Sequence, residues 1–178
     1  MELIFVNKDI NLIRKYEEII GPGIKNNTHI FIAKDINTIA TPEYPVDYIV
    51  STANNHDLDE VYSHIFPGIG LKVRAAIKKK YPETKLLPVG ECLSVTIDEM
   101  CHYKDPCIVK LISCPIMTVS SDIANADNVY RACKSLFSLL KNQQRKVRVI
   151  IPSIETSIGR FSPEESARQI LQALTETY

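Results

Sequence analysis

The chain has 178 residues, 45% hydrophobic and 24% charged. These proportions are ordinary for one globular domain with a substantial core. Its 21 Lys and Arg balance 21 Asp and Glu, so net charge gives no case for nucleic acid or an anionic membrane, and no apolar run approaches a membrane span. The N-terminal MELIFVNKD lacks the charged-then-apolar layout of a secretion signal, so the expected compartment is the cytoplasm. The five cysteines, Cys92, Cys101, Cys107, Cys114 and Cys133, are odd in number and are expected as reduced thiols. Cys101, His102 and Cys107 lie close in sequence, but C-x5-C is not a zinc-knuckle spacing. No metal and no cofactor is expected.

In chain order, Leu3–Val6 reads as a strand. Asp9 then caps a helix over Ile10–Ile20, with Ile10, Ile13, Tyr16, Glu17 and Ile20 on its inner face, and Gly21-Pro22-Gly23 stops it. His29–Ala33 is a second strand, left through Lys34-Asp35-Ile36. After Pro45, the β-branched VDYIV predicts a strand covered on both faces near its end, running out into Ser51, Thr52, Ala53, Asn54 and Asn55. Val61, His64 and Ile65 suggest a short helix, and Gly68–Lys80 a longer one with Ile69, Val73, Ala76 and Ile77 inward and its lysines solvated. Strands follow at Cys92–Ile97 and Cys107–Cys114, around a polar loop at Asp98–Pro106. Ser121–Lys141 is the longest predicted helix, with Ile123, Ala126, Val129, Tyr130, Cys133, Leu136, Phe137 and Leu140 inward. Val147–Ile151 is the last strand, Pro152–Phe161 a loop, and Pro163–Thr175 the closing helix. This alternation predicts an α/β fold, with a partly parallel sheet between helix layers.

Three predicted strand ends carry polar or small residues: Asp35-Ile36, Asn54-Asn55 and Ser153–Gly159. If the sheet brings them to one edge, they form a cleft of the kind that binds ligands in open α/β sheets. SIETSIG precedes a helix, and backbone N–H groups there suit an anion or phosphate. An aspartate at the far end accepts from an exocyclic amine, and asparagines suit ribose hydroxyls, so the set suggests a nucleotide-like ligand. Each element taken alone also reads as an ordinary cap or turn. The familiar catalytic motifs are absent. His56 beside Asp57 and Asp59 reads either as an acid–base group or as a polar helix start capped by Asp57 or Asp59.

Taken in order, Asp35-Ile36, VDYIVSTANN, FPGIGLKVRAAI, LLPVGE, KLISCPIM, the helix opening Ala126-Asp127-Asn128-Val129-Tyr130 and IPSIETSIGRFSPEESARQI resemble a macro domain from about residue 28 to the end. LIFVNKDINLIRKYEE resembles the extra N-terminal strand and helix of the bacterial and phage-like branch of that superfamily. The resemblance implies one domain over residues 1–178, a three-layer α/β/α sandwich with a central mixed sheet of about six strands. It also implies binding of ADP-ribose or a related NAD-derived nucleotide. By that resemblance Asp35 accepts from the adenine amine, with Ile36 beside it, and Asn54 contacts the distal ribose next to Asn55. Ser153, Ile154, Glu155, Thr156, Ser157, Ile158, Gly159, Arg160 and Phe161 surround the diphosphate, with Phe161 along the distal ribose or the adenine side.

The chain departs from the family pattern at two places. Asn55-His56-Asp57-Leu58 is short and lacks the glycines that wrap the distal ribose. Glu155 and Ser157 stand where glycines let backbone N–H groups approach phosphate. These departures give three readings. The first is a binding module with a degenerate site. The second is a hydrolase of ADP-ribosyl or ADP-ribose 1″-phosphate bonds, with Asn54, His56, Asp57 or Asp59 as catalytic candidates. The third is a macro fold without nucleotide binding that serves as a surface for a protein partner.

Overall fold

The computed structural model describes residues 1–23, 28–36, 46–52, 54, 68–97, 109–118, 127–152, 154 and 161–178. Six strands, β1 (Glu2–Asn7), β2 (Thr28–Ala33), β3 (Tyr48–Ser51), β4 (Leu93–Ile97), β5 (Val109–Ser113) and β6 (Arg148–Pro152), form one mixed sheet in the order β2-β1-β6-β3-β5-β4. The first five in that order run parallel, and only β4, at an edge, is antiparallel to its neighbour. The carboxyl ends of β1, β2, β3, β5 and β6 therefore share one edge of the sheet. Helices α1 (Ile10–Ile20), α3 (Asn128–Lys141) and α4 (Pro163–Thr177) cover one face, and α2 (Ile69–Lys80) covers the other. This is the expected α/β/α sandwich. No helix among the described residues is long and apolar enough to cross a membrane.

The two faces follow from strand parity. Leu3, Phe5, Tyr48, Val50, Ile112, Val149 and Ile151 point into the core beneath α1, α3 and α4. Ile4, Val6, Ile49, Leu111 and Ile150 meet Ile69, Val73 and Ile77 of α2. The central strands are buried on both faces, which is why they read as continuous apolar runs.

Local signals explain the helix ends. Asp9 caps α1, its side chain accepting from the Asn11 N–H at 2.9 Å. Ser162 caps α4, accepting from the Glu165 N–H at 3.1 Å, with Pro163 in the first turn. The inner face of α1 differs from the expected one. Leu12, Ile13, Tyr16 and Ile20 are buried, whereas Ile10 is exposed, as is Glu17. Ile10 opens the helix at its exposed start, and the stripe at 12, 13, 16 and 20 is the one that faces the sheet. Helix α3 begins at Asn128, and the expected inward positions Ile123 and Ala126 lie outside the described residues. So do the short helix around Val61–Ile65 and the loop Asp98–Pro106.

The cysteines depart from expectation. Cys92 and Cys114 form a disulfide. The pairing follows from register: Leu93 lies opposite Ser113 in the antiparallel β4–β5 pair, which sets Cys92 opposite Cys114, with Cα atoms 4.6 Å apart. Cys133 is a free, buried thiol, and burial pushes it up to about 12. Cys101 and Cys107 lie outside the described residues.

Candidate functional site

The parallel strands bring Asp35, Ile36, Asn54 and Ile154, from among the expected site residues, to the carboxyl edge. Asp35 and Ile36 follow β2, Asn54 follows β3 and Ile154 follows β6. Between β2 and β3 lie β1 and β6, so the line from Asp35 to Asn54 crosses three strand spacings, about 14 Å. Asp35 is exposed, and Ile36 packs against the α2-side core. Asn54 is only 8% exposed and bridges to Met117, which continues the β3–β5 pairing past the strand ends. The bridge is offset by one residue from the Ser51–Ser113 register. Pro115 lies within the offset and has no N–H to continue the ladder. Its carbonyl instead accepts from the Gly90 N–H at 3.1 Å.

The chain leaving β6 is anchored from below. The Ser166 hydroxyl donates to the Ile154 carbonyl at 3.4 Å and lies 2.6 Å from the Tyr16 hydroxyl, which supplies the complementary donor. One buried serine thus ties α1, α4 and the start of the post-β6 loop together. Helix α4 also holds α3, because Gln169 accepts from the Tyr130 N–H at 2.9 Å and in turn donates to Glu165. Asp127 makes no side-chain cap to α3.

Of the expected phosphate loop, only Ile154 and Phe161 are among the described residues, and α4 follows it. The first turn of α4 holds Glu164 and Glu165 behind the Ser162 cap. Acidic side chains there suit the positive end of the helix, and Glu164 lies 3.8 Å from Lys15 and Glu165 3.1 Å from Arg168. Phe161, expected beside the ligand, is 1% exposed and belongs to the core under α1, α3 and α4. An aromatic ring directly before the capped helix gains more by burial than by lining a cleft. Ile154 is buried in the same core.

Beyond β5, Gly90 has φ +84°, and a Cβ there would meet Cβ of Arg131 at 2.9 Å, so glycine is required at that turn. Glu91 next to it is held below the usual carboxylate range, first by the Tyr81 hydroxyl and then by Lys80.

Ser113 was not expected at the edge, although KLIS ends its apolar run in a hydroxyl just as DYIVS does. Asn55, His56, Asp57, Asp59, Ser153, Glu155, Thr156, Ser157, Ile158, Gly159 and Arg160 lie outside the described residues, as does His102. Among the described residues no group of three or more His, Cys, Asp or Glu side chains gathers to hold a metal ion. No protein-family model matches the chain, and no curated protein matches it.

Proposed function

We propose that the protein is a macro-domain-like module that binds ADP-ribose or a related NAD-derived nucleotide along the carboxyl edge of its sheet. The observation that carries this reading is the order of residues on that edge. Strand order β2-β1-β6-β3 runs from Asp35 through the chain leaving β6 to Asn54. That is the order of adenine, diphosphate and distal ribose in the ligand. The span of about 14 Å calls for an extended dinucleotide-like molecule rather than a single base. In this arrangement Asp35 accepts from the adenine amine, Ile36 packs beside the base and Asn54 takes a ribose hydroxyl. The proposed ligand is an intracellular metabolite, and the proposed compartment is the cytoplasm.

A titration calorimetry experiment with ADP-ribose, using AMP and NAD as controls, tests the proposal. Saturable micromolar binding that Asp35→Ala removes is expected. The absence of heat at millimolar ligand, from folded protein, would refute it. A second reading has specific support in the two carboxylates of the first α4 turn and in the burial of Phe161. It is a macro fold that has lost its nucleotide and offers its surface to a protein partner. Hydrolysis of ADP-ribosyl bonds is tested by turnover of ADP-ribose 1″-phosphate, which Asn54→Ala should abolish if the activity is present.

A further inference from the structure

Ser51 and Ser113 end β3 and β5, and they are partners in the parallel register. Both are 0% exposed. Among the described residues they are the two whose buried side-chain hydroxyls have no hydrogen-bond partner. Their direction follows from parity. Ile49 and Leu111, two residues earlier on the same strands, belong to the α2-side core, so both serines face that layer too. A buried hydroxyl without a partner has given up its bonds to water for nothing, and in folded proteins such groups are few. Here there are two, side by side, and Ser51 lies three residues before Asn54.

The spacing suggests what they share. Neighbouring strands lie about 4.8 Å apart, and an O–H···O bond spans about 2.8 Å. Two such bonds meeting at one oxygen bridge the gap. A hydroxyl both donates and accepts, so the pair serves an oxygen that does the same. An ion does not fit, because it would lie uncompensated among Ile49, Leu111 and the α2 side chains.

We propose that Ser51 and Ser113 together hold one neutral donor–acceptor oxygen, supplied by an internal water or by a hydroxyl of a sugar bound at the carboxyl edge. The sugar source rests on the nucleotide reading; the water source does not.

Thermal unfolding of Ser51→Ala, Ser113→Ala and the double variant, without and with saturating ADP-ribose, tests the shared site. Each single change is expected to lower Tm by roughly 2–4 °C, in both conditions if the guest is water and only with ADP-ribose if it is the sugar, and the double change by less than the sum, because the second removal finds no guest left to lose. Single changes that are neutral or stabilising in both conditions are what lone orphan hydroxyls would give, and they would overturn the proposal, as would additive losses. Two further measurements identify the source. A long-lived water in oxygen-17 relaxation of the wild type, lost in the double variant, assigns the guest as water. A roughly tenfold loss of ADP-ribose affinity in folded Ser51→Ala, with AMP affinity unchanged, assigns it as the distal sugar. Non-additive losses with neither signal would mean that the serines bond one another, which overturns the site. A wild type that binds no ADP-ribose removes the nucleotide reading alone, and the relaxation measurement then decides the water site by itself.

Discussion

At the amino edge of the sheet, polar groups find one another. Asp47 takes the Arg145 guanidinium and, at 2.8 Å, the Arg148 N–H; Arg148 pairs with Glu2, and the Tyr48 hydroxyl donates to Gln143 at 2.9 Å. At the carboxyl edge of the same strands, Ser51 and Ser113 are buried with unpartnered hydroxyls, and the ladder breaks at Pro115 before resuming at Asn54–Met117. The two edges have the same strands and the same core behind them. One is closed by ion pairs that need no ligand. The other collects an exposed aspartate, a buried amide and two buried hydroxyls. A sheet whose only task was to be stable would gain from pairing Ser51 and Ser113 as well.

The largest effect that bears on this contrast is expected at the cross-link pinning the carboxyl edge between β4 and β5. Cys92 and Cys114 are 22 residues apart in sequence, and in the chain-entropy treatment, opening a loop of that size costs about 3 kcal/mol. Urea unfolding with and without dithiothreitol should show that difference. An equal midpoint in both would mean that the strands hold their register without the link. Cys133 should resist alkylation in the folded state, since its thiol is buried and pushed up to about 12.

Next comes Asp47→Ala at the amino edge. It removes an ion pair and a charge-assisted bond to a backbone N–H, and a loss of about 2 kcal/mol in urea unfolding is expected with no change in response to ADP-ribose. A changed nucleotide response would break the separation of the two edges. Gly90→Ala, beside the Pro115 break, is expected to cost about 1–2 kcal/mol, because its φ of +84° is strained for a residue with a Cβ. A neutral result would show that the turn can relax away from Arg131.

The smallest effect lies on the surface shared by α3 and α4. Lys134, then Tyr130 and Gln172, hold the Glu176 carboxyl down to about 2, from an ordinary value of 4.5. A carboxyl lowered on folding contributes stability that is fully present above about pH 4.5 and is lost as pH falls towards 2. The site is exposed, so the contribution is small. Glu176→Gln should flatten the stability profile in that window, and an unchanged profile would exclude the contact.

Much of the fold was legible in the sequence because its strands are buried on both faces and its helix ends carry local signals. VDYIV and KLIS read as strands, and Asp9, Pro163 and Gly21-Pro22-Gly23 marked boundaries where the structure has them. What escaped depends on partners distant in sequence. The Cys92–Cys114 bond exists only through the β4–β5 register, and counting cysteines cannot supply a register. The Ser51–Ser113 pair likewise joins residues 62 positions apart. Asp35 and Asn54 were recognisable as polar residues at strand ends. The burial of Phe161 in the core is not legible in the sequence, because an aromatic residue before a helix reads the same whether it lines a cleft or fills a core.

The most direct test of the contrast between the edges is an ADP-ribose titration followed by backbone NMR. Binding at the carboxyl edge predicts saturable shifts at the amides of Asp35, Ile36, Asn54 and Ile154, while those of Glu2, Asp47 and Arg148 stay still. Shifts centred on the amino edge, or none at millimolar ligand, would contradict it.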